Sequence, residues 1–177
     1  MRAGRGLRIV VGAALVALAG CGWRPLYADR ETGPADESLR AIRVGPIPER
    51  IGQRLEIGLR DALNPSGEPT PQRYLLSTTL SVSRASLGIQ SQGLGTRGDT
   101  NATATYRLAD LKDGKVLQTG TVHATESFDI QANNFSTVVA QDDTDTRLAT
   151  ELRDEIIARL TLFMQRQEEK AAASEHK

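Results

Sequence analysis

Few residues of this chain have the type and spacing that chemistry demands. Its single cysteine, Cys21, follows Leu18-Ala19-Gly20, and with no second thiol there is neither a disulfide nor a cysteine-rich metal site to build. Of the two histidines, His176 is near the C-terminus and His123 sits among alternating polar residues. Neither has a second ligand or a nucleophile at a readable spacing, so a solvated strand surface accounts for His123. Asp142, Asp143 and Asp145 could gather a cation, but carboxylates at a helix start are already explained by the helix dipole. Gly93-Leu94-Gly95 with Gly98 lacks the strand-before, helix-after setting of a phosphate cradle and reads as a flexible β-connection. Arg84, Arg97 and Arg107 fall at or near the ends of the central strands. There a guanidinium could grip a phosphate bidentately, or simply keep exposed strands soluble and unpaired. No catalytic set, metal site or bound cofactor is expected.

Cys21 takes its meaning from what precedes it. Arg2, Arg5 and Arg8 open the chain, an apolar run follows from Ile9 to Leu18, and two small residues stand before the cysteine, which is the layout of a secretory signal. Ten apolar residues rise only about 15 Å as a helix, half of a bilayer core, so residues 1–20 are expected to be removed. Leu18-Ala19-Gly20-Cys21 looks like the bacterial lipobox, which implies diacylglycerol on the thiol, cleavage before Cys21 and an acyl chain, such as palmitate, on the new amine. One chain holds a protein marginally, and two or three hold it firmly. Gly22 stands where an aspartate would resemble an inner-membrane retention signal, which favours the periplasmic face of the outer membrane. Without residues 1–20, 19 basic residues face 22 acidic ones, a net charge of −3, so no basic surplus points to nucleic acid.

The remaining 157 residues suit a single domain. Gly22 to Ser38 is rich in Pro, Gly and charge and reads as a tether. Leu39 to Val44 is a strand candidate stopped by Gly45-Pro46 and Pro48. Ile51, Leu55, Leu59 and Ala62 place one apolar stripe on a helix over Glu49–Leu63, closed by Asn64-Pro65. A proline-rich loop, Pro65 to Pro71, then precedes three alternating stretches. They run through Tyr74–Val82, Ala102–Leu108 and Val116–Phe128, each with one apolar face and one polar face rich in Ser and Thr, the second with Asn101 and Arg107 and the third with His123. Lys112-Asp113-Gly114-Lys115 is the hairpin between the last two. After a polar loop from Gln131 to Gln141, Leu148, Leu152, Ile156, Leu160 and Phe163 mark a second helix, from Asp142 to about Gln165. The charged, alanine-rich tail from Gln167 to Lys177 is expected to be disordered. The order βαβββα predicts an α+β, two-layer sandwich: a four-stranded, mainly antiparallel sheet with two helices on one face, over residues 39–166. The hydroxyl-rich face would look outward.

The heptapeptide Cys21-Gly22-Trp23-Arg24-Pro25-Leu26-Tyr27 resembles the start of the mature lipopolysaccharide-assembly lipoproteins of the LptE family, in their alphaproteobacterial form. Glu126-Ser127-Phe128-Asp129, then Ala140-Gln141-Asp142-Asp143, Arg147-Leu148 and Ile157-Ala158 with Leu160, are similar to that family's last strand, polar loop and final helix. The resemblance implies a non-enzymatic lipoprotein that plugs and helps assemble a large outer-membrane barrel, LptD, and aids delivery of lipopolysaccharide to the outer leaflet. Some family members carry a basic residue implicated in lipopolysaccharide contact in the Ala-x-Asp-Asp stretch. This chain has Gln141 there. Arg84, Arg97 and Arg107 are then the candidate lipopolysaccharide contacts, and Thr79, Leu94 and Thr121 the candidate barrel contacts. The second reading is a free-standing periplasmic lipid-binding lipoprotein, or an auxiliary subunit of an ABC-type lipid transporter, which would need a large apolar cavity between helices and sheet.

Overall fold

A computed structural model describes residues 34–69, 71–89, 95–130 and 134–175. The chain forms α1 (Pro34–Arg40), β1 (Ile42–Val44), α2 (Arg50–Leu63), β2 (Tyr74–Ile89), β3 (Gly95–Asp110), β4 (Val116–Asp129) and α3 (Asn134–Glu175). One four-stranded sheet has the order β1-β2-β3-β4, parallel between β1 and β2 and antiparallel elsewhere. The α+β, mainly antiparallel architecture is the expected one.

Alternation sorts the strands. Leu76, Ala102, Ala104, Tyr106, Leu108, Val122 and Ala124 point to the helices and are buried, while Ser77, Thr79, Ser81, Thr105, Thr119, Thr121 and Thr125 are exposed on the other face. Against the apolar face, α2 brings Ile51, Leu55, Leu59 and Leu63, and α3 brings Leu148, Leu152, Ile156, Leu160 and Met164. Fully burying each such side chain contributes about 1.5–3 kcal/mol. Met164, four residues after Leu160, takes the buried place expected of Phe163, which is only partly buried.

Prolines and an asparagine set the connection from β1 to α2 and back. Pro46 and Pro48 have no N–H to give a ladder, so β1 is three residues long, shorter than the expected Leu39–Val44. Asn64 ends α2 and donates its side-chain amide to the Ile42 carbonyl at 2.8 Å, fastening that end to β1. The hairpin at residues 110–115 is as expected: the Asp110 carboxylate accepts from the Lys112 N–H at 2.7 Å and the Asp113 carboxylate from the Lys115 N–H at 2.9 Å.

Four expectations are corrected. Residues 34–38, read as tether, belong to α1, which packs on α3. Of Gly93-Leu94-Gly95 with Gly98, read as a flexible connection, Gly95 and Gly98 belong to β3, which starts at Gly95, and Gly93 and Leu94 lie outside the described residues. Gly98 is there because the Phe128 ring lies against it, where an added Cβ would meet the ring edge at 2.5 Å. The polar loop expected up to Gln141 is helix from Asn134. The tail expected to be disordered is helical to Glu175, since Gln, Glu, Lys and Ala are strong helix formers even where nothing packs on them.

Candidate functional site

The open face of the sheet is built in rows. Ser77 on β2 faces Arg107 on β3 and Thr119 on β4. The next rows are Thr79-Thr105-Thr121, Ser81-Thr103-His123 and Ser83-Asn101-Thr125. Strands about 4.8 Å apart bring these side chains into contact. Thr105 and Thr121 share a hydroxyl hydrogen bond at 3.3 Å, Thr103 Oγ1 meets His123 Nδ1 at 3.0 Å, and Thr125 donates to Asn101 at 2.8 Å. His123 is exposed and held by a hydroxyl, as a surface strand histidine would be. The four rows therefore offer hydroxyls, an amide, an imidazole and the single guanidinium of Arg107, a surface suited to many weak polar contacts.

The three arginines do not converge. Arg97 and Arg107 lie on the open face but ten residues apart along β3, about 33 Å, and Arg97 is 3.8 Å from Asp99. Arg84, paired with Thr100 in the register, lies on the helix side, well inside β2 and not at its end. There it donates to both carboxylate oxygens of Asp145, at 2.9 and 3.1 Å. Thr79 and Thr121 stand in one row of the open face. Leu94 and the lipobox residues Leu18, Ala19, Gly20 and Cys21 lie outside the described residues.

The acidic cluster is a fastening and not a helix start. Asp142, Asp143 and Asp145 fall within α3, two turns or more past Asn134, so the dipole does not explain them. Asp142 accepts from Arg54 at 2.7 Å and pairs with Arg50; the Asp142 carbonyl also accepts from Arg54 at 2.9 Å. Asp143 pairs with Arg147 one turn on, and Arg147 reaches Glu126 on β4 at 3.1 Å. The hydrogen bond from Arg54, with the nearby charge of Arg50, holds the Asp142 carboxyl below the usual carboxylate range. Each carboxylate therefore ties α3 to α2, to β2 or to itself. The signal for this lay in the sequence: Arg50 and Arg54 share one helix face, as do Asp142 and Asp145. Among the described residues no cluster of His, Cys, Asp and Glu could hold a metal ion, and no helix is long and apolar enough to cross a membrane.

Toward the other edge of the sheet, Tyr106 lies buried across Gly120, its direct partner on β4. Burial raises the pKa of the phenol against the opposing influence of Arg159. Arg159 is held by Glu155 at 2.5 Å and donates to the Thr121 carbonyl at 2.9 Å. Its own pKa is raised, first by the hydrogen bond to Glu155. The α3 helix thus crosses the sheet from Arg84 on β2 to Thr121 on β4, and its charged groups anchor both ends of that path.

Residues 39–160, the packed sheet and its helices, match the family model described as LptE: Lipopolysaccharide-assembly. The chain belongs to the LptE family. A solved candidate lipoprotein from Caulobacter crescentus CB15 superposes with a TM-score of 0.61 at 25% identity, covering 74% of this chain and 96% of that one. A minor lipoprotein from Acinetobacter baumannii superposes with a TM-score of 0.55 at 17% identity, covering 68% and 90%. The second likeness is one of fold. Sequence comparison with curated proteins gives no match. As an LptE family member, the protein takes part in lipopolysaccharide assembly.

Proposed function

We propose that this LptE family protein is the lipid-anchored, non-enzymatic subunit of an outer-membrane lipopolysaccharide translocon, plugging an LptD-like β-barrel, assisting its assembly and aiding delivery to the outer leaflet. The observation that carries this reading is the open sheet face. Four rows of hydroxyls, amide and imidazole, with the guanidinium of Arg107 in the first, face away from the helices where a β-sheet of this size could have carried a second helical layer, and such largely neutral polar contacts suit the polar wall of a barrel lumen. The layer between helices and sheet is filled by Leu76, Tyr106, Leu108, Leu148, Leu152 and Ile156, each exposed by 1% or less, which speaks against the free-standing lipid-binding reading. Cys21, with diacylglycerol and an N-acyl chain, would place the domain at the periplasmic face of the outer membrane. Arg97 and Arg107, free of the helix layer, are the stronger candidates for lipopolysaccharide contact; Arg84 lies on the helix side, where Nη2 donates to Asp145.

Photo-crosslinkers at Thr79, Leu94 and Thr121 test the plug role. They should capture a large β-barrel protein in the outer membrane, and one at Gln167, on the exposed C-terminal part of α3, should do so less. Capture of soluble periplasmic proteins alone from all three positions would transfer the weight to a free-standing lipid-binding lipoprotein.

A further inference from the structure

The outer edge of β2 is open over most of its length. In an antiparallel pair, alternate residues turn their backbone N–H and C=O towards and away from the partner. The Leu76 carbonyl accepts from the Gly45 N–H at 2.8 Å and the Tyr74 N–H donates to the Ala41 carbonyl at 3.2 Å, so the even-numbered residues of β2 face the β1 side. β1 covers only Tyr74 to Leu76, because the prolines that follow carry the chain off into α2. Leu80, Val82 and Arg84 therefore direct their backbone donors and acceptors to an edge that no strand among the described residues occupies. The far edge of the sheet differs, since Arg159 already takes the Thr121 carbonyl there.

Beside the open edge, on the helix side, is a recess of about 340 Å³ whose lining includes the apolar Ile51, Val82 and Val138, the arginines Arg50 and Arg84, and the carboxylates of Glu49, Asp142 and Asp145. Val138 remains 59% exposed there. A charge pointing inward from an edge strand ordinarily discourages pairing. Here Arg84 is neutralised by Asp145 through one nitrogen, Nη2, and its side chain is still 47% exposed, which leaves donors free for a further carboxylate.

We propose that the β2 edge from Leu80 to Arg84 is a docking site for an extended strand of a partner protein, whose helix-side residues are apolar opposite Leu80 and Val82 and acidic opposite Arg84. The open backbone groups supply the affinity and the recess and Arg84 the selectivity, as in strand addition to other sheets. This inference does not depend on the plug role, because the edge and the open face are different surfaces.

The test uses the mature lipoprotein in detergent micelles, amide hydrogen exchange, and two capped probe peptides that cover both strand directions, Thr-Leu-Thr-Val-Thr-Glu-Thr and Thr-Glu-Thr-Val-Thr-Leu-Thr. The Leu80, Val82 and Arg84 amides should exchange freely in the protein alone and slow at least about tenfold at saturation with one of the peptides, as buried ladder amides do. Replacing Glu by Lys in that peptide should weaken binding. Val82→Pro, which deletes an outward N–H without touching the β3 ladder, should bind about fivefold more weakly than Val82→Ala, the effect of one lost hydrogen bond. Protection of the three amides without peptide would overturn the proposal. If independent of concentration it would assign the edge to this chain's own segment, and if dependent on concentration, to a second copy. Binding of neither peptide, or binding that leaves the three amides exchanging, would overturn it equally, and the unsubstituted protein settles these outcomes whether or not the proline variant folds.

Discussion

Gly120 offers the sharpest test of how β3, β4 and α3 fit together. It stands directly opposite Tyr106, and an added Cβ would lie 2.5 Å from the phenolic oxygen and 2.6 Å from Cζ. The ring cannot retreat, because Tyr106 is 1% exposed and enclosed by the core. Overpacking of this kind costs about 1–3 kcal/mol, and alanine recovers about 0.5–1 kcal/mol of strand entropy relative to glycine. Gly120→Ala should therefore destabilise by about 0–2.5 kcal/mol net. A small neighbour makes the argument decisive. Tyr106→Leu, destabilising alone through lost burial, removes the ring that the new methyl strikes, so the double variant should lose about 1–3 kcal/mol less than the sum of the two single losses. The assay is urea denaturation followed by circular dichroism on all four proteins, read as a double-mutant cycle. Additive losses would mean that the ring does not lie across Gly120.

Leu152→Ala should cost about 2–5 kcal/mol, since Leu152 is fully buried between α3 and the sheet, while His123→Ala on the open face should stay within about 0.5 kcal/mol; comparable denaturation midpoints for the two would refute the layering. Arg54→Ala should lower thermal stability at neutral pH and much less in acid. The Asp142 carboxyl has a depressed folded-state pKa, so its contribution is present above the unfolded value, near 4, and is lost as pH falls through the folded one; a thermal-melt difference that persists unchanged at about pH 2 would contradict this. Cys21→Ala should leave uncleaved or mislocalised protein, because the chain has no other thiol, and mass spectrometry of the wild-type N-terminus should find acylated Cys21; an unmodified cysteine would sink the anchor.

The sequence disclosed the sheet because its signals are local. Alternation from Tyr74 to Val82 and from Ala102 to Leu108 names the buried face without reference to anything distant, and Lys112 to Lys115 closes the hairpin with its own side chains. The helical stripe of Leu148, Leu152, Ile156 and Leu160 is local too. What was misplaced is what tertiary contact decides. Phe135 to Gln141 buries no residue fully and has no apolar stripe long enough to mark a helix, yet it is one helix with Asp142 and Asp145, which are gripped by Arg54 and Arg84. Those arginines are 88 and 61 residues away in the chain. Three aspartates in four positions look like an N-terminus when only the dipole is considered; their partners show them to be fastenings.

The same reasoning separates the arginines. Position in a strand suggested one class for Arg84, Arg97 and Arg107, but strand parity divides them: an even number on β2 faces the helices, and the odd numbers on β3 face the open side. Parity was legible in the sequence, since Leu76, Leu80 and Val82 set the phase to which Arg84 belongs. What was not legible was the carboxylate waiting on α3, because it depends on where that helix crosses the sheet. With Arg84, Arg50 and Arg54 engaged by Asp145 and Asp142, much of the charge that ties the layers together lies on the helix side. The open face is left to pairs of neutral side chains such as Thr105 with Thr121 and Thr103 with His123. A partner that covers the middle rows of this face must meet them with hydrogen bonds and close fit, while Arg97 and Arg107 offer charge towards the two ends of β3.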